Sequence, residues 1–237
     1  MLALEGLVLG QGEGQGAFRL QADLTVPAGA RVAVMGPSGG GKSTLLAAIG
    51  GFLAPLAGRV LWDARDLTPL PPGERPVAVL FQDNNLFPHL TALQNVALGL
   101  RPTLRPTATE RAWAEAALAR VGLAGMGDRR PADLSGGQQG RAALARVLVQ
   151  DRPLVLMDEP FAALGPALKA EMLALVREIL APRRATLLMV THDPDDALAL
   201  GGDLILVAEG RAQAPVSAAA LLSSPPPALA AYLGPRR

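Results

Sequence analysis

The stretch Arg31–Thr44, RVAVMGPSGGGKST, decides the fold of this chain. Its first part, Arg31–Met35, has the apolar pattern of a short buried strand, and Lys42–Ile49 is predicted to be a helix. The residues between them match G-x-x-x-x-G-K-[ST], in which glycine backbones can turn successive N–H groups toward one anion. The stretch therefore predicts a strand, a phosphate-binding loop and the N-terminus of a helix.

The side chains of this loop favour a nucleoside triphosphate with a divalent cation. The Lys42 ammonium can neutralise the β- and γ-phosphates, Ser43 offers a hydroxyl to Mg²⁺, and the helix dipole attracts the anion. The alternative is an ordinary glycine-rich turn with a solvated lysine, but the flanking strand and helix favour the phosphate site. We expect Lys42 to be catalytic as well as ligand-binding. The predicted ATP-binding residues are Gly36, Pro37, Ser38, Gly39, Gly40, Gly41, Lys42, Ser43 and Thr44.

A second pattern, Leu154–Asp158 (LVLMD) followed by Glu159, predicts an apolar strand that ends in two acids. Side chains at the carboxyl ends of strands face the ligand in α/β sheets. Asp158 would join the Mg²⁺ shell, and Glu159 would accept a proton from the water that attacks the γ-phosphate. By itself such a pair is often a solvated turn, so this prediction depends on the loop at 36–44.

Strand and helix patterns alternate outward from these two segments. This alternation predicts an α/β fold with a P-loop core and a mostly parallel sheet. The range 83–150 is predicted to be an inserted helical subdomain, with 1–82 and 151–237 forming the core. Further strands are expected at 2–9, 18–26, 59–62, 77–81, 186–190 and 204–208, and helices at 107–120, 138–149, 166–180 and 194–200. We expect a turn or loop at 10–16, and one short helix with a loose end after residue 215.

Composition excludes several classes of protein. Lys plus Arg number 22 and Asp plus Glu 21, so no charge excess points to a nucleic-acid partner. The chain has no cysteine and two histidines, which excludes thiolate metal sites and a histidine-rich metal cage. Neither a signal peptide nor a segment of about 20 continuous apolar residues is apparent, so we expect a cytosolic enzyme that does not span a membrane.

The segment Leu134–Gln138, LSGGQ, precedes an alanine-rich helix pattern and resembles the signature motif of the ATP-binding cassette (ABC) ATPases. Ser135 can cap this helix, and the glycines expose its first N–H groups as a second anion site. The resemblance covers the whole chain and implies the ABC ATPase fold, in which an N-terminal antiparallel β subdomain and an inserted α-helical subdomain join the mostly parallel core. It implies a head-to-tail homodimer with two ATP molecules at the interface, each completed by the partner's signature residues. Those residues are Ser135, Gly136, Gly137 and Gln138.

The same resemblance assigns roles to two further residues. Gln82 follows the strand pattern VAVLF and matches the family's glutamine that reaches toward Mg²⁺ and the attacking water. His192 follows the strand pattern TLLMV and matches the histidine that contacts the γ-phosphate. The resemblance thus implies catalytic roles for Glu159, His192, Gln82 and Lys42, and Mg²⁺ binding by Ser43, Gln82 and Asp158. His89 matches no motif and is expected at the surface.

Three positions depart from the family pattern. The family places an aromatic residue upstream of the loop to stack on adenine, and here Phe18 is the available residue. Gly140 stands within the helix after the signature, where glycine is unfavourable relative to alanine. Gly165 stands where the family has an aspartate that faces the partner's phosphate loop.

The residues between the motifs, Asp83–Leu90 (DNNLFPHL) and Thr91–Leu100 (TALQNVALGL), resemble the ATP-binding subunits of bacterial thiamine importers. That resemblance implies a permease in the inner membrane, contacted near Gln82–Leu90, and a periplasmic thiamine-binding protein. The subunit would lie peripherally at the cytoplasmic face of the membrane, held by the permease. Leu86, Phe87 and Leu90 are candidates for the contact if they are exposed; the alternative is that they fill the core of the helical subdomain.

Alternatives to a thiamine importer stay open. The cargo does not touch this subunit, so importers of iron, polyamines, sulfate or molybdate could carry a similar cassette. A stand-alone ABC ATPase would lack the permease, and a non-hydrolysing dimerisation module would fit Gly165. A DNA-maintenance ABC ATPase would need a long coiled coil for which the insertion is too short. A P-loop kinase is disfavoured by LSGGQ and by the lack of an evident acceptor site.

Overall fold

The computed structural model of the protein describes residues 1–11, 18–103 and 105–234. Its strands are Leu2–Gln11 (β1), Phe18–Val26 (β2), Arg31–Met35 (β3), Ala57–Trp62 (β4), Arg65–Asp66 (β5), Val77–Leu80 (β6), Leu154–Asp158 (β7), Thr186–Val190 (β8), Asp203–Ala208 (β9), Arg211–Ala212 (β10) and Val216–Ser217 (β11). Its α-helices are Lys42–Gly50 (α1), Ala92–Leu100 (α2), Ala108–Arg120 (α3), Gly136–Leu148 (α4), Pro166–Leu180 (α5), Pro194–Leu200 (α6), Ala218–Ser223 (α7) and Pro227–Leu233 (α8).

One curled sheet carries the whole fold, in the order β5-β4-β1-β2-β10-β9-β3-β8-β7-β6, with β11 paired to β9. The strands β9, β3, β8, β7 and β6 are parallel. The strands β5, β4, β1 and β2 are antiparallel, and β10 joins the two parts. The predicted α/β fold with a mostly parallel core sheet is confirmed, and the N-terminal strands form an antiparallel part.

The parallel strands are apolar along their length because both faces of the sheet are covered. On one face Leu154 and Leu156 of β7 pack with α1 and the antiparallel strands. On the other face Val155 and Met157 pack with helices α2 to α5, while α6, α7 and α8 cover the end of the sheet near β9. Within the described ranges, no helix is both long and apolar enough to cross a bilayer.

Arg75 ties the helix after the phosphate loop to the sheet. Its side chain is only 2% exposed and donates to the carbonyls of Ala48 at 2.8 Å and Ile49 at 2.9 Å. It also donates to the carbonyls of Leu70 and Thr68. Because the last carbonyls of a helix lack partners within the helix, this guanidinium satisfies the C-terminal end of α1.

The structure corrects several predicted boundaries. Strand β6 ends at Leu80 rather than Phe81, and α4 begins at Gly136, two residues earlier than predicted, because Ser135 caps it. The prediction of one short helix after residue 215 was wrong: Pro227 starts a second helix, α8, in the first-turn position that proline favours. Most of the predicted loop at 10–16 and the end of the chain at 235–237 lie outside the described residues.

Gly165 offers a test of local stability. It is the N-cap of α5 with φ −68° and ψ 159°. Apart from the residue itself, its two chain neighbours and the adjoining helix backbone, no heavy atom of the described chain lies within 4 Å of the position its Cβ would take. Aspartate exceeds glycine by only a few tenths of a kcal/mol at an N-cap, so Gly165→Asp should change the unfolding free energy by less than about 0.5 kcal/mol. Urea denaturation measures this. Gly165→Ala has neither the side-chain acceptor of aspartate nor the backbone freedom of glycine, so it should be the least stable of the three. An Asp variant below the Ala variant would contradict the assignment of this cap.

Candidate functional site

The carboxyl ends of the parallel strands bring the predicted segments to one edge. Asp158 of β7 pairs with Val190 of β8, and Leu80 of β6 pairs with Met157 of β7. The segments that follow β6, β7 and β8 therefore begin at adjacent positions along this edge. They contain Gln82, Glu159 and His192. The phosphate loop leaves β3, which pairs with β8 on the other side.

The phosphate loop fits closely against β9. Gly36 has φ 150°, and a Cβ there would lie 1.9 Å from the carbonyl oxygen of Val207, so only glycine can occupy this position. The Lys42 Nζ donates to the carbonyls of Gly36 at 2.8 Å and Pro37 at 2.9 Å. An ammonium has three donors, so one remains for a phosphate oxygen. Burial lowers the pKa of Lys42, and the negative charges of Glu159 and Asp158 oppose that shift.

Asp158 has the environment expected of a cation ligand. Burial raises the pKa of its carboxyl, while a hydrogen bond with the Ser43 side chain opposes that shift. Its Oδ1 is buried and has no hydrogen-bond partner in the described part of the chain. Buried polar atoms are normally paired, and the carboxylate and hydroxyl oxygens of Asp158 and Ser43 are donors that Mg²⁺ prefers. In the described ranges no group of three or more His, Cys, Asp or Glu residues could hold a metal ion.

Glu159 and His192 face each other across the ends of β7 and β8. The Glu159 Oε2 lies 3.6 Å from the His192 Nδ1, and the histidine side chain is the more exposed of the two. Glu159 has φ 47°, a left-handed conformation that non-glycine residues seldom adopt and that clusters at functional sites. Its backbone N–H donates to the carbonyl of Val190 at 3.1 Å, which holds the residue in this conformation.

A polar network that the sequence analysis missed supports the segment around His192. The Thr191 hydroxyl donates to Asp196 Oδ2 at 2.7 Å. Lys169 of α5 donates to Asp193 and lies 2.9 Å from Asp196 Oδ1. Burial would raise the pKa of Asp193, but the hydrogen bonds from Lys169 and the Asp195 N–H outweigh it and lower that pKa. The pKa of Lys169 is raised: burial would lower it, but the hydrogen bonds to Asp193 and Asp196 and the negative charges of these residues outweigh burial.

Tyr232 is a second residue that sequence reasoning missed, because its segment was predicted to be a loose end. It lies on α8, and its hydroxyl donates to the backbone carbonyl of His192 at 3.5 Å. Burial and the negative charge of Glu159 raise the pKa of the Tyr232 hydroxyl. The C-terminal helix therefore reaches the same edge of the sheet as the phosphate loop.

The signature residues form an exposed helix start. The Gln138 N–H donates to Ser135 Oγ at 3.3 Å, and the Ser135 N–H donates to Gln138 Oε1 at 2.9 Å, a reciprocal capping box. Gly137 packs near Leu164, since a Cβ on it would lie 3.1 Å from that side chain. In the part of the chain that the structure describes, no hydrogen bond joins Ser135–Gln138 to the phosphate loop. The Gln138 N–H is taken up by this cap, whereas the Gly136 and Gly137 N–H groups have no side-chain partner among the described hydrogen bonds and could bind an anion.

The residues around the predicted permease contact differ in exposure. Leu90 is only 6% exposed, so the buried alternative holds for this residue. Leu86 is partly buried against the helical core. Phe87 is 47% exposed. Phe52, which the sequence analysis missed, is 52% exposed and stacks edge-to-face on Phe81 with the ring centroids 5.0 Å apart.

Three further predicted positions have defined surroundings. Phe18 packs against the phosphate loop, because a Cβ on Gly41 would lie 2.4 Å from its ring; its role toward adenine stays a prediction. Gln82 is exposed just beyond β6, and His89 is at the surface as expected.

Comparisons with known proteins agree with this site. The model of the family described as ABC transporter matches residues 20–162, more than half of the chain. The chain is 64% identical to the thiamine import ATP-binding protein ThiQ of Cereibacter sphaeroides over 99% of this chain and 100% of that protein. It is 58% identical to the protein of the same name from a Ruegeria species, again over 99% and 100% of the two chains.

A solved structure is also similar. It is a dimeric ATP-binding cassette in a post-hydrolysis state bound to ADP and Pi, which superposes with a TM-score of 0.83 at 31% sequence identity. The superposition covers 92% of this chain and 99% of that chain. On the strength of the fold, the matching family model and these full-length relatives, the chain belongs to the ABC transporter family, as an ATP-binding subunit whose ATPase activity is coupled to transport.

Proposed function

We propose that this subunit forms a head-to-tail homodimer, hydrolyses two ATP molecules with Mg²⁺ at its interface, and drives a permease that imports thiamine. The ATPase part of the proposal is supported above all by the unpartnered Asp158 Oδ1 beside Ser43 and by Glu159 facing His192 at 3.6 Å. The cargo is inferred from relatives named for thiamine import at 64% and 58% identity over their full lengths.

Nucleotide binding would use the loop from Gly36 to Thr44. Its glycines present backbone N–H groups to the β- and γ-phosphates, and the third donor of Lys42 would complete the contact. Ser43, Asp158 and Gln82 would hold Mg²⁺, which when bound neutralises charge on the phosphates. Phe18 is the candidate for contact with adenine.

Hydrolysis would depend on Glu159 and His192. Glu159 is directed by its left-handed backbone toward the space beside His192, where its carboxylate could orient the attacking water and accept its proton. His192 would hydrogen-bond the γ-phosphate, with its backbone held by Tyr232 and the Lys169 network. Gln82 would contact the same water and Mg²⁺ from the end of β6.

Completion of the site would require a second copy of the chain. Ser135, Gln138 and the N–H groups of Gly136 and Gly137 would form this anion site. The Gln138 N–H itself donates to Ser135 Oγ, and in the described residues no hydrogen bond joins this segment to the chain's own phosphate loop. An isologous interface around a two-fold axis, in which the same face of each copy meets the other, would pair each signature with the partner's loop. The dimeric form of the similar cassette supports this arrangement.

We propose that residues 83–150 act as a helical subdomain on the core formed by 1–82 and 151–237. The permease contact would lie in a groove between this core and the helices α2 and α4. The groove has a volume of about 340 Å³, and two exposed aromatic residues, Phe52 and Phe87, line it. Exposed apolar clusters of this kind mark interaction sites. The subunit would then sit at the cytoplasmic face of the inner membrane, with a periplasmic binding protein supplying the cargo from the other side.

Replacing Glu159 tests the catalytic assignment. Glu159→Gln should retain ATP binding and lose turnover by about 10² or more, because general-base catalysis contributes on that scale. The ATP-bound dimer should then accumulate, which gel filtration with ATP and Mg²⁺ would detect. Glu171→Gln, on an exposed position of α5, is the matched control and should behave as wild type. A Glu159→Gln protein with normal turnover would refute the assignment.

The composite site predicts complementation between two inactive variants. Lys42→Ala should disable the phosphate loop, and Ser135→Arg should block the signature while leaving nucleotide binding nearly intact. In a mixed dimer, one site combines the intact phosphate loop of the Ser135→Arg chain with the intact signature of the Lys42→Ala chain. An equimolar mixture should therefore recover up to roughly a quarter of wild-type turnover, since half of the dimers are mixed and each has one intact site. Wild-type hydrolysis by Ser135→Arg alone would argue against completion by the partner.

Cargo identity is tested in the assembled transporter. With its permease in nanodiscs, the subunit should show low basal ATPase activity that rises when thiamine-loaded binding protein is added. Binding proteins loaded with iron, a polyamine, sulfate or molybdate serve as controls. Stimulation by one of these controls, and not by thiamine, would assign a different cargo and leave the ATPase assignment unchanged. Absence of any permease-dependent stimulation would favour a stand-alone ATPase.

A further inference from the structure

The loop after Gln82 contains two consecutive residues with left-handed backbone. Asn84 has φ 57° and Asn85 has φ 47°. Asparagine tolerates this conformation better than most residues, but it is unfavourable relative to the ordinary regions. A pair of such residues persists only where surrounding contacts determine it.

Arg146 of α4 supplies those contacts. Its Nη1 donates to the Asn85 carbonyl at 2.7 Å and its Nη2 to the Asn84 carbonyl at 3.0 Å. The two arms of a planar guanidinium fit two adjacent acceptors, a geometry that the single ammonium of lysine cannot match. In the described part of the chain no carboxylate forms an ion pair with Arg146, so the two carbonyls are its partners. Arg146 is partly buried, and this burial lowers the pKa of its guanidinium.

Gly140 provides a second contact between α4 and the same loop. A Cβ at this position would lie 3.3 Å from the Asn84 Oδ1, closer than most real contacts of that kind. A glycine that is unfavourable for the helix therefore lets Asn84 approach the helix surface. The helix that begins at the signature thus holds the loop through Arg146 and lies close to it at Gly140.

The far half of the loop is held separately by Asn95 of α2. This buried side chain accepts from the Phe87 N–H at 2.8 Å and donates to the carbonyl of Thr91 at 3.0 Å. Phe87 thus stands exposed between two anchored halves of the loop. Asn85, Phe87 and Arg146 line the same groove, so a partner in that groove would touch the loop where Arg146 holds it.

We propose that Arg146 is a positioning residue that locks the loop at Gln82–Phe87 to the signature helix, so that a permease contact at Phe87 moves Ser135 and Gln82 together. This inference rests on the proposed function for the permease contact. As a positioning residue, Arg146 would touch neither the nucleotide nor the attacking water. It acts through the Asn84 and Asn85 carbonyls, and its loss should uncouple stimulation from nucleotide binding.

The test compares Arg146→Lys with Arg141→Lys in the complete transporter. Arg141 lies on the same helix and also donates to two backbone carbonyls, those of Val121 and Gly122, but these are not in the loop. Arg146→Lys should lower the binding-protein-stimulated turnover about tenfold, with the KM for ATP within about twofold of wild type. Arg141→Lys should keep stimulated turnover within about threefold of wild type.

A second pair of variants changes a residue of the loop and leaves the sequence of α4 unchanged. Asn84→Val opposes the left-handed backbone and should reproduce the Arg146→Lys effect, whereas Asn84→Gly accepts that backbone and should not. In the chain alone, hydrogen exchange at residues 83–86 should be faster in Arg146→Lys than in Arg141→Lys.

Two outcomes would overturn the proposal: normal stimulation in Arg146→Lys and Asn84→Val, or equal losses in Arg146→Lys and Arg141→Lys. A wild-type complex that shows no stimulation would instead reject the proposed function, and the hydrogen exchange comparison would still decide whether the lock exists.

Discussion

Parallel pairing of β3, β8, β7 and β6 is the constraint on which the rest of the structure depends. Parallel strands end at the same edge, so residues far apart in the chain meet there. Register then sets which of them are neighbours, as in the pairing of Asp158 with Val190. Both faces of these strands are buried, and a slip of one residue would exchange the two faces, which keeps the register specific.

The same constraint separates the parts of the proposed composite site within one chain. The phosphate loop and the acids Asp158 and Glu159 lie at the sheet edge, whereas Ser135 begins a helix that packs on one face of the sheet. In the proposed function this separation would make hydrolysis depend on association, and the proposed permease contact would offer a way to control that association. The fold would thereby link a chemical step to the relative position of two copies.

Lysine and arginine side chains that donate to backbone carbonyls fix several loops and a helix end of this fold. Lys42 closes the phosphate loop, Arg75 satisfies the end of α1, and Arg146 holds the loop after β6. A cation with carbonyl partners fixes backbone directly and needs no buried carboxylate, whose desolvation is costly. Carboxylate partners appear instead beside His192, where Lys169 joins Asp193 and Asp196.

Local patterns in the sequence were enough to predict most of the strands and helices and the short motifs. Strand β7 and helix α5 have the predicted bounds, and the loop at Gly36–Thr44 lies between the predicted strand and helix, because periodicity, caps and glycine patterns act over a few residues. Tertiary structure decided which residues are exposed or paired. Leu90 is buried while Phe52 is exposed, and Tyr232 reaches His192 from a tail predicted to be loose. Arg146 likewise meets Asn84 and Asn85 across about 60 residues of chain. Such contacts depend on how helices pack on the sheet, and no local pattern in the chain encodes a distance between segments that meet only after folding.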